Sequence, residues 1–81
     1  MAGFWTLKPA QTQSNIKTSN GQTVFRFVVD GGGEGNVRII SDSAPPEMCV
    51  FQNVREIVSD FKGGEVTIMN LGSTTITCST N

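Results

Sequence analysis

The sequence predicts a mainly β protein, a small antiparallel β-sandwich or barrel built as a single domain over residues 1–81. Three observations carry that expectation. The run "QTVFRFVV", Gln22 to Val29, is β-branched and aromatic around Arg26, a composition that suits a pleated, half-buried surface. The C-terminal stretch "GGEVTIMNLGSTTITCSTN" sets Val66, Ile68, Ile76 and Cys78 against Thr67, Thr75 and Thr77. That period of two buries one face of a strand and wets the other. Turn signals separate the runs: Asn20-Gly21, the glycines between Gly31 and Gly35, and Gly72.

Taken in order, "MAGFWTLK" carries Phe4, Trp5 and Leu7, and Pro9 opens the polar segment "PAQTQSNIKTSNG", whose one apolar side chain near the centre is Ile16. Such a stretch buries little, so residues 1–20 read as an N-terminal arm and polar linker, or an edge strand around Ile16, ahead of a β-rich core over residues 21–81. Large aromatics in that position either fold back on the core or are offered to another molecule, and a tryptophan anchor suits an interface. Phe4, Trp5 and Leu7 are therefore the candidate partner-binding residues. In the strand Gln22 to Val29 the face of Phe25, Phe27 and Val29 is the expected core. After the glycines, "NVRII" to Ile40 reads as a second strand, closed by "SDSAPP".

Residues 46–61 are the ambiguous piece. Val50, Val54, Ile57, Val58 and Phe61 recur at three- and four-residue intervals, as one face of a short helix would. Asp42 or Ser43 as cap, Pro45 and Pro46 in a first turn and Gly63 as a stop agree with that reading. The β-branched content favours two strands instead, "MCVFQNV" and "EIVSDF". The last third reads as a strand from Glu65 to Met69, a turn around Asn70 to Ser73 and a strand from Thr74 to Ser79, paired as a hairpin.

Composition excludes more than it names. With 81 residues the core is thin, and 37% hydrophobic and 16% charged residues suit neither a membrane protein nor a disordered chain. So short a domain is a candidate for completion by self-association or by a larger partner. The net charge of -1, with six scattered Lys and Arg, gives no basic footprint for nucleic acid. No run is long and apolar enough for a membrane helix, and no secretory leader is visible, so a cytosolic setting with reduced thiols is expected. Cys49 and Cys78, 29 positions apart, read as small buried thiols, with a disulfide or a reactive thiol as alternatives. With no histidine and no tyrosine, seven carboxylates, two thiols, lysine and hydroxyls remain for any catalysis. No catalytic residue, cofactor or metal site is expected.

The glycine-rich stretch "DGGGEGNVRII" invites a nucleotide reading and fails it. A dinucleotide fingerprint needs G-x-G-x-x-G ahead of a helix, whereas Asn36 occupies the last position and a strand follows. A phosphate loop needs Gly-Lys, which the chain lacks, and Asp30 and Glu34 would repel a phosphate. A flexible hairpin connection is the expectation. Asp30, Glu34 and Asp42 lack the dense spacing of a calcium loop, and Glu56 with Asp60 suit a solvated face.

The segment "GGEVTIMNLGSTTITC", 16 residues of the 81, resembles the closing hairpins of small β-rich phage virion proteins, such as capsid decoration (cement) and tail-associated domains. The resemblance implies a non-enzymatic structural or interaction protein that is assembled in the host cytoplasm and resides in the virion. Its partners would be capsid or other virion subunits, with copies of itself in a homo-oligomer or larger assembly. A small inhibitor of a host protein is the alternative, and a carbohydrate-binding module a weaker one, since one Trp leaves few platforms for sugar rings.

Overall fold

A computed structural model describes residues 3–42 and 45–80. Eight strands carry the chain: β1 (Gly3–Leu7), β2 (Thr12–Lys17), β3 (Gln22–Val29), β4 (Glu34–Ser41), β5 (Glu47–Gln52), β6 (Val54–Asp60), β7 (Glu65–Asn70) and β8 (Ile76–Thr80). They form two antiparallel four-stranded sheets. Sheet A has the order β1-β8-β3-β6 and sheet B the order β2-β7-β4-β5. The expected antiparallel β-sandwich is what the chain builds.

The core lies between the sheets, on the face that strand alternation selects. In β3, Phe25, Phe27 and Val29 point inward, as expected, and they meet Val37 and Ile39 of β4, Phe51 of β5, Val66 and Ile68 of β7, and Ile76 and Cys78 of β8. A row of rings, Phe61–Phe25–Phe27–Phe51, joins the sheets: Phe61 meets Phe25 edge-on at 5.7 Å, and Phe27 lies 6.2 Å from Phe51. Such tilted and edge-on pairs add to the burial of the rings themselves.

The connections differ from expectation. Only β4 and β5 are neighbours both in sequence and in a sheet; the other six links between consecutive strands cross from one sheet to the other. The glycine stretch is thus no hairpin: it carries the chain from β3 in sheet A to β4 in sheet B. It is also fastened down. Gly31, Gly32 and Gly33 take φ values of 78°, 79° and 105°, which glycine adopts at little cost. The Gly33 N–H donates to Asn53 Oδ1 at 2.8 Å, the Asn53 N–H to Gly33 O at 2.9 Å, and the Val29 N–H to Asn53 O at 2.8 Å. Gly35 belongs to β4 and is buried; a Cβ there would stand 2.8 Å from Phe51 Cε1 and 2.9 Å from Val29 Cγ2. Its value is the space that it leaves for the ring.

The last two strands, likewise, are not a hairpin. β7 pairs with β2 and β4, while β8 pairs with β1 and β3. The turn between them is held by Asn70, whose side chain is buried: Nδ2 donates to Leu7 O at 2.9 Å and to Thr74 O at 2.7 Å, and Oδ1 accepts the Gly72 N–H at 3.0 Å.

The helical reading of residues 46–61 is overturned. β5 pairs with β4 from Glu47 to Gln52, and β6 pairs with β3 from Val54 to Asp60. Asn53, at φ 65°, turns the corner between them. Of the five residues of the supposed helical face, Ile57 and Phe61 are buried, but Val50, Val54 and Val58 are exposed. Long-range pairing with β3 and β4 outweighs the periodicity, and β-branched side chains favour it. Ser43, one of the two proposed caps, lies outside the described residues.

The N-terminal segment, expected as an arm and linker or as an edge strand around Ile16, is woven into both sheets from residue 3 onward, and the edge strand is the alternative that forms. β1 pairs with β8, and β2 is an edge strand of sheet B against β7, with an irregularity between Gln13 and Ile16. Met1 and Ala2 lie outside the described residues. Both cysteines are free thiols, so the disulfide alternative is not realised.

Two substitutions test this packing. Gly35→Ala forces a methyl group against Phe51 and Val29, and urea denaturation should report a loss of about 1–3 kcal/mol. Asn70→Ala leaves the Leu7 and Thr74 carbonyls and the Gly72 N–H without their partner, and the same measurement should show a loss of about 3 kcal/mol.

Candidate functional site

The inner faces offer little chemistry. Among the described residues no cluster of three or more Cys, Asp or Glu is placed to hold a metal ion. The fully buried polar side chains Thr23 and Asn70 are occupied by the backbone: Thr23 Oγ1 accepts the Ser19 N–H at 3.0 Å, and Asn70 holds the corner described above. Burial pushes the Cys78 thiol from 9.0 up to about 12, because no favourable charge offsets the loss of water around a thiolate. Cys49 also faces inward, but it is only half-buried. It sits in the mouth between the edge strands β5 and β6, a groove of about 360 Å³ lined by Glu47, Met48, Cys49, Arg55, Glu56, Ile57 and Val58.

The three residues singled out from the sequence are divided by strand alternation. Leu7 is buried and Trp5 packs against the core, its indole lying over Gly3, where a Cβ would overlap the ring. Phe4 points the other way and is 72% exposed on the outer face of sheet A, opposite Ser79. No single patch unites them.

The outer face of sheet B carries a feature that sequence reading missed. Met48 and Val50 on the edge strand β5 are 65% and 61% exposed, and Leu71, just beyond β7, is 42% exposed. Register brings them around one cation. Arg38 on β4 is the cross-strand partner of Met48 on one side and Met69 on the other, while Asn36, two residues earlier on the same face, is opposite Val50. The Leu71 N–H donates to Asn36 O at 2.8 Å, which brings Leu71 to the same region. Arg38 Nε and Asn36 Oδ1 are buried and make no hydrogen bond within the protein. The ion pair seen among the described residues, Arg26–Glu56 at 3.7 Å, lies on the other sheet.

A signal for this face was present in the sequence. The valines and methionine of "EMCVFQNVREIV" are more than two buried strands require, and the excess produced the false helical period.

A family model, a family of unknown function (DUF8244), matches residues 5–81. The chain belongs to this family. A relative of the DUF8244 chain, an uncharacterized protein of Dictyostelium discoideum, is 35% identical over 79 residues, with 94% of each chain covered. Among solved structures, a de novo designed double-stranded β-helix is similar over 100% of this chain and 96% of its own (TM-score 0.63, 12% identity). Drosophila melanogaster CENP-C bound to CAL1 is similar over 99% of this chain (TM-score 0.55, 21% identity); the chain spans 62% of that neighbour. A sugar phosphate isomerase of the cupin superfamily from Silicibacter pomeroyi is similar over 99% of this chain and 48% of its own (TM-score 0.53, 13% identity). At these identities the likeness is one of fold: the DUF8244 chain has the cupin-like, double-stranded β-helix arrangement of its two sheets.

The two thiols give a test of the interior. With 5,5′-dithiobis(2-nitrobenzoate) at pH 8, Cys49 should react in the folded protein and Cys78 only on unfolding, a difference that Cys49→Ala and Cys78→Ala variants assign. The folded state holds the Cys78 proton above pH 9, where the unfolded chain releases it, so this group stabilises the fold fully below pH 9 and progressively less as pH rises toward 12. The stability difference between the parent protein and Cys78→Ala should therefore shrink by about 1.4 kcal/mol per pH unit over that window.

Proposed function

We propose that this protein is a non-enzymatic interaction module that docks on a partner protein through the outer face of sheet B. One observation carries the reading: Met48 and Val50 stand exposed beside Leu71 on an edge strand, around a cation whose Nε has no partner. Exposed apolar side chains occur singly on most surfaces, but a contiguous group with Met and Arg at its centre is the composition of a protein interface. The interior supports the same reading, since large apolar side chains, among them Phe25, Phe27, Phe51 and Ile68, fill the space between the sheets among the described residues. CENP-C bound to CAL1 is support by analogy that this fold serves protein binding, at the level of fold alone. Of the virion expectation this proposal keeps the coarser part, a subunit that docks on another protein; the paired hairpin on which the resemblance rested is not formed.

Photo-crosslinking tests the proposal. With p-benzoylphenylalanine placed at position 50, extract of the source cells should yield a discrete protein adduct, and the same probe at position 77, on the outer face of sheet A, should not. The double substitution Met48→Ser with Val50→Thr should abolish that adduct, read from a probe at position 71, while stability stays within about 0.5 kcal/mol of the parent, as for exposed side chains. Equal labelling from positions 50 and 77 would sink the assignment.

A further inference from the structure

The geometry points to a carboxylate as the group that this face receives: Arg38 is the anchor for an Asp or Glu side chain that a different protein presents between apolar residues. This rests on the docking role of sheet B and adds the chemistry of the partner.

Arg38 lacks a polar partner. Its Nε is buried and makes no hydrogen bond within the protein, and an unsatisfied buried donor on a charged group costs more than a neutral one. Its cross-strand partners are Met48 and Met69, and Ile40 and Asn36 flank it along β4. None of these can compensate a positive charge. The acidic residues on the outer face of β4 and β7, Glu34 and Glu65, stand at the strand ends, and Glu47 of β5, opposite Ile39, falls in the alternation of the inward Cys49 and Phe51. Glu34 is four positions from Arg38, about 13 Å along an extended strand, beyond hydrogen-bond reach. The face is therefore a cation framed by apolar side chains, and its complement is an anion framed by apolar side chains.

Arginine suits that complement. The guanidinium fork receives both oxygens of a carboxylate, and its charge is permanent. Met48, Val50 and Leu71 would be covered by the partner's flanking side chains, which exclude water and strengthen the ion pair that they surround. A second copy of the chain is the wrong occupant. A two-fold axis through the centre of this face sets Arg38 against the other copy's Arg38, and the two like charges repel.

The test uses two soluble synthetic peptides, acetyl-Lys-Ser-Leu-Asp-Leu-Ser-Lys-amide and its counterpart with Asn in place of Asp, titrated into the isotopically labelled protein of residues 1–81. The expected result is a shift of the Arg38 Nε–H resonance and of the Met48 and Met69 methyl resonances with the Asp peptide, and binding weaker by about tenfold with the Asn peptide. Added salt should narrow that gap. Arg38→Met should bind the two peptides equally and melt no lower than the parent, because an apolar side chain replaces an unpaired polar one. If Arg38→Met instead unfolds the protein, Arg38→Lys takes its place and should lose most of the Asp preference. Equal binding of both peptides to the parent protein at the sheet B face overturns the carboxylate assignment and leaves the docking surface standing. Shifts confined to other surfaces, or none, overturn it as well, and the crosslink from position 50 then decides the docking role alone.

Discussion

The fold depends on its corners. Six of the seven links between consecutive strands pass from one sheet to the other, and packed sheets lie about 10 Å apart. Each corner must therefore redirect the chain across that gap while leaving no buried backbone group unpaired. Two asparagines do much of this. Asn53 takes a positive φ and binds Gly33 by both side chain and main chain, locking the β5–β6 corner to the β3–β4 corner. Asn70, fully buried, ties the β7–β8 turn to the end of β1. An asparagine amide both donates and accepts, and so it can replace the ladder partner that a strand loses on leaving its sheet. Because β8 lies between β1 and β3, both ends of the chain are held by the same centre.

This arrangement explains what the sequence disclosed and what it hid. β3 was legible to the residue, from Gln22 to Val29, because its alternation reports burial directly. The inward phenylalanines and the antiparallel sandwich followed from the same period. Pairing was hidden. A glycine-rich link looks the same whether it joins neighbours in one sheet or carries the chain to the other, and Asn70-Leu71-Gly72-Ser73 satisfies hairpin chemistry although β7 and β8 never pair. The polar stretch before β3 leaves a linker and an edge strand equally open in the sequence, because β2 buries a single large apolar side chain, Ile16. Its stability comes from its ladder with β7, which composition does not record.

The candidate site was hidden for a related reason. Strand alternation tells inside from outside only where outside means water. On β5 and β6 the outward positions Met48, Val50, Val54 and Val58 are apolar, so the period of two is overwritten and a helical one takes its place. Conversely, Trp5 drew attention as an aromatic with no evident neighbours, yet it covers Gly3 and the core edge. Register reveals the feature that composition hides: Arg38, Met48 and Met69 are far apart in sequence and adjacent across β5, β4 and β7.

The same register bears on what limits pairing at the exposed apolar face. Of the two edge strands on that side, β6 carries Arg55, Glu56 and Asp60, charges that oppose pairing with another strand, whereas β5 has Glu47 at one end and neither Lys nor Pro. The protection of the β5 side must come from elsewhere, and Arg38 supplies it. An apolar surface that covers Met48 and Val50 without offering a carboxylate seals a guanidinium away from water with no counter-charge, which costs several kcal/mol in the fully buried limit. The penalty falls on indiscriminate hydrophobic association and on face-to-face copies alike. A partner that brought an acid would escape it, so on the proposed docking role one residue would both restrain the face and select what binds there.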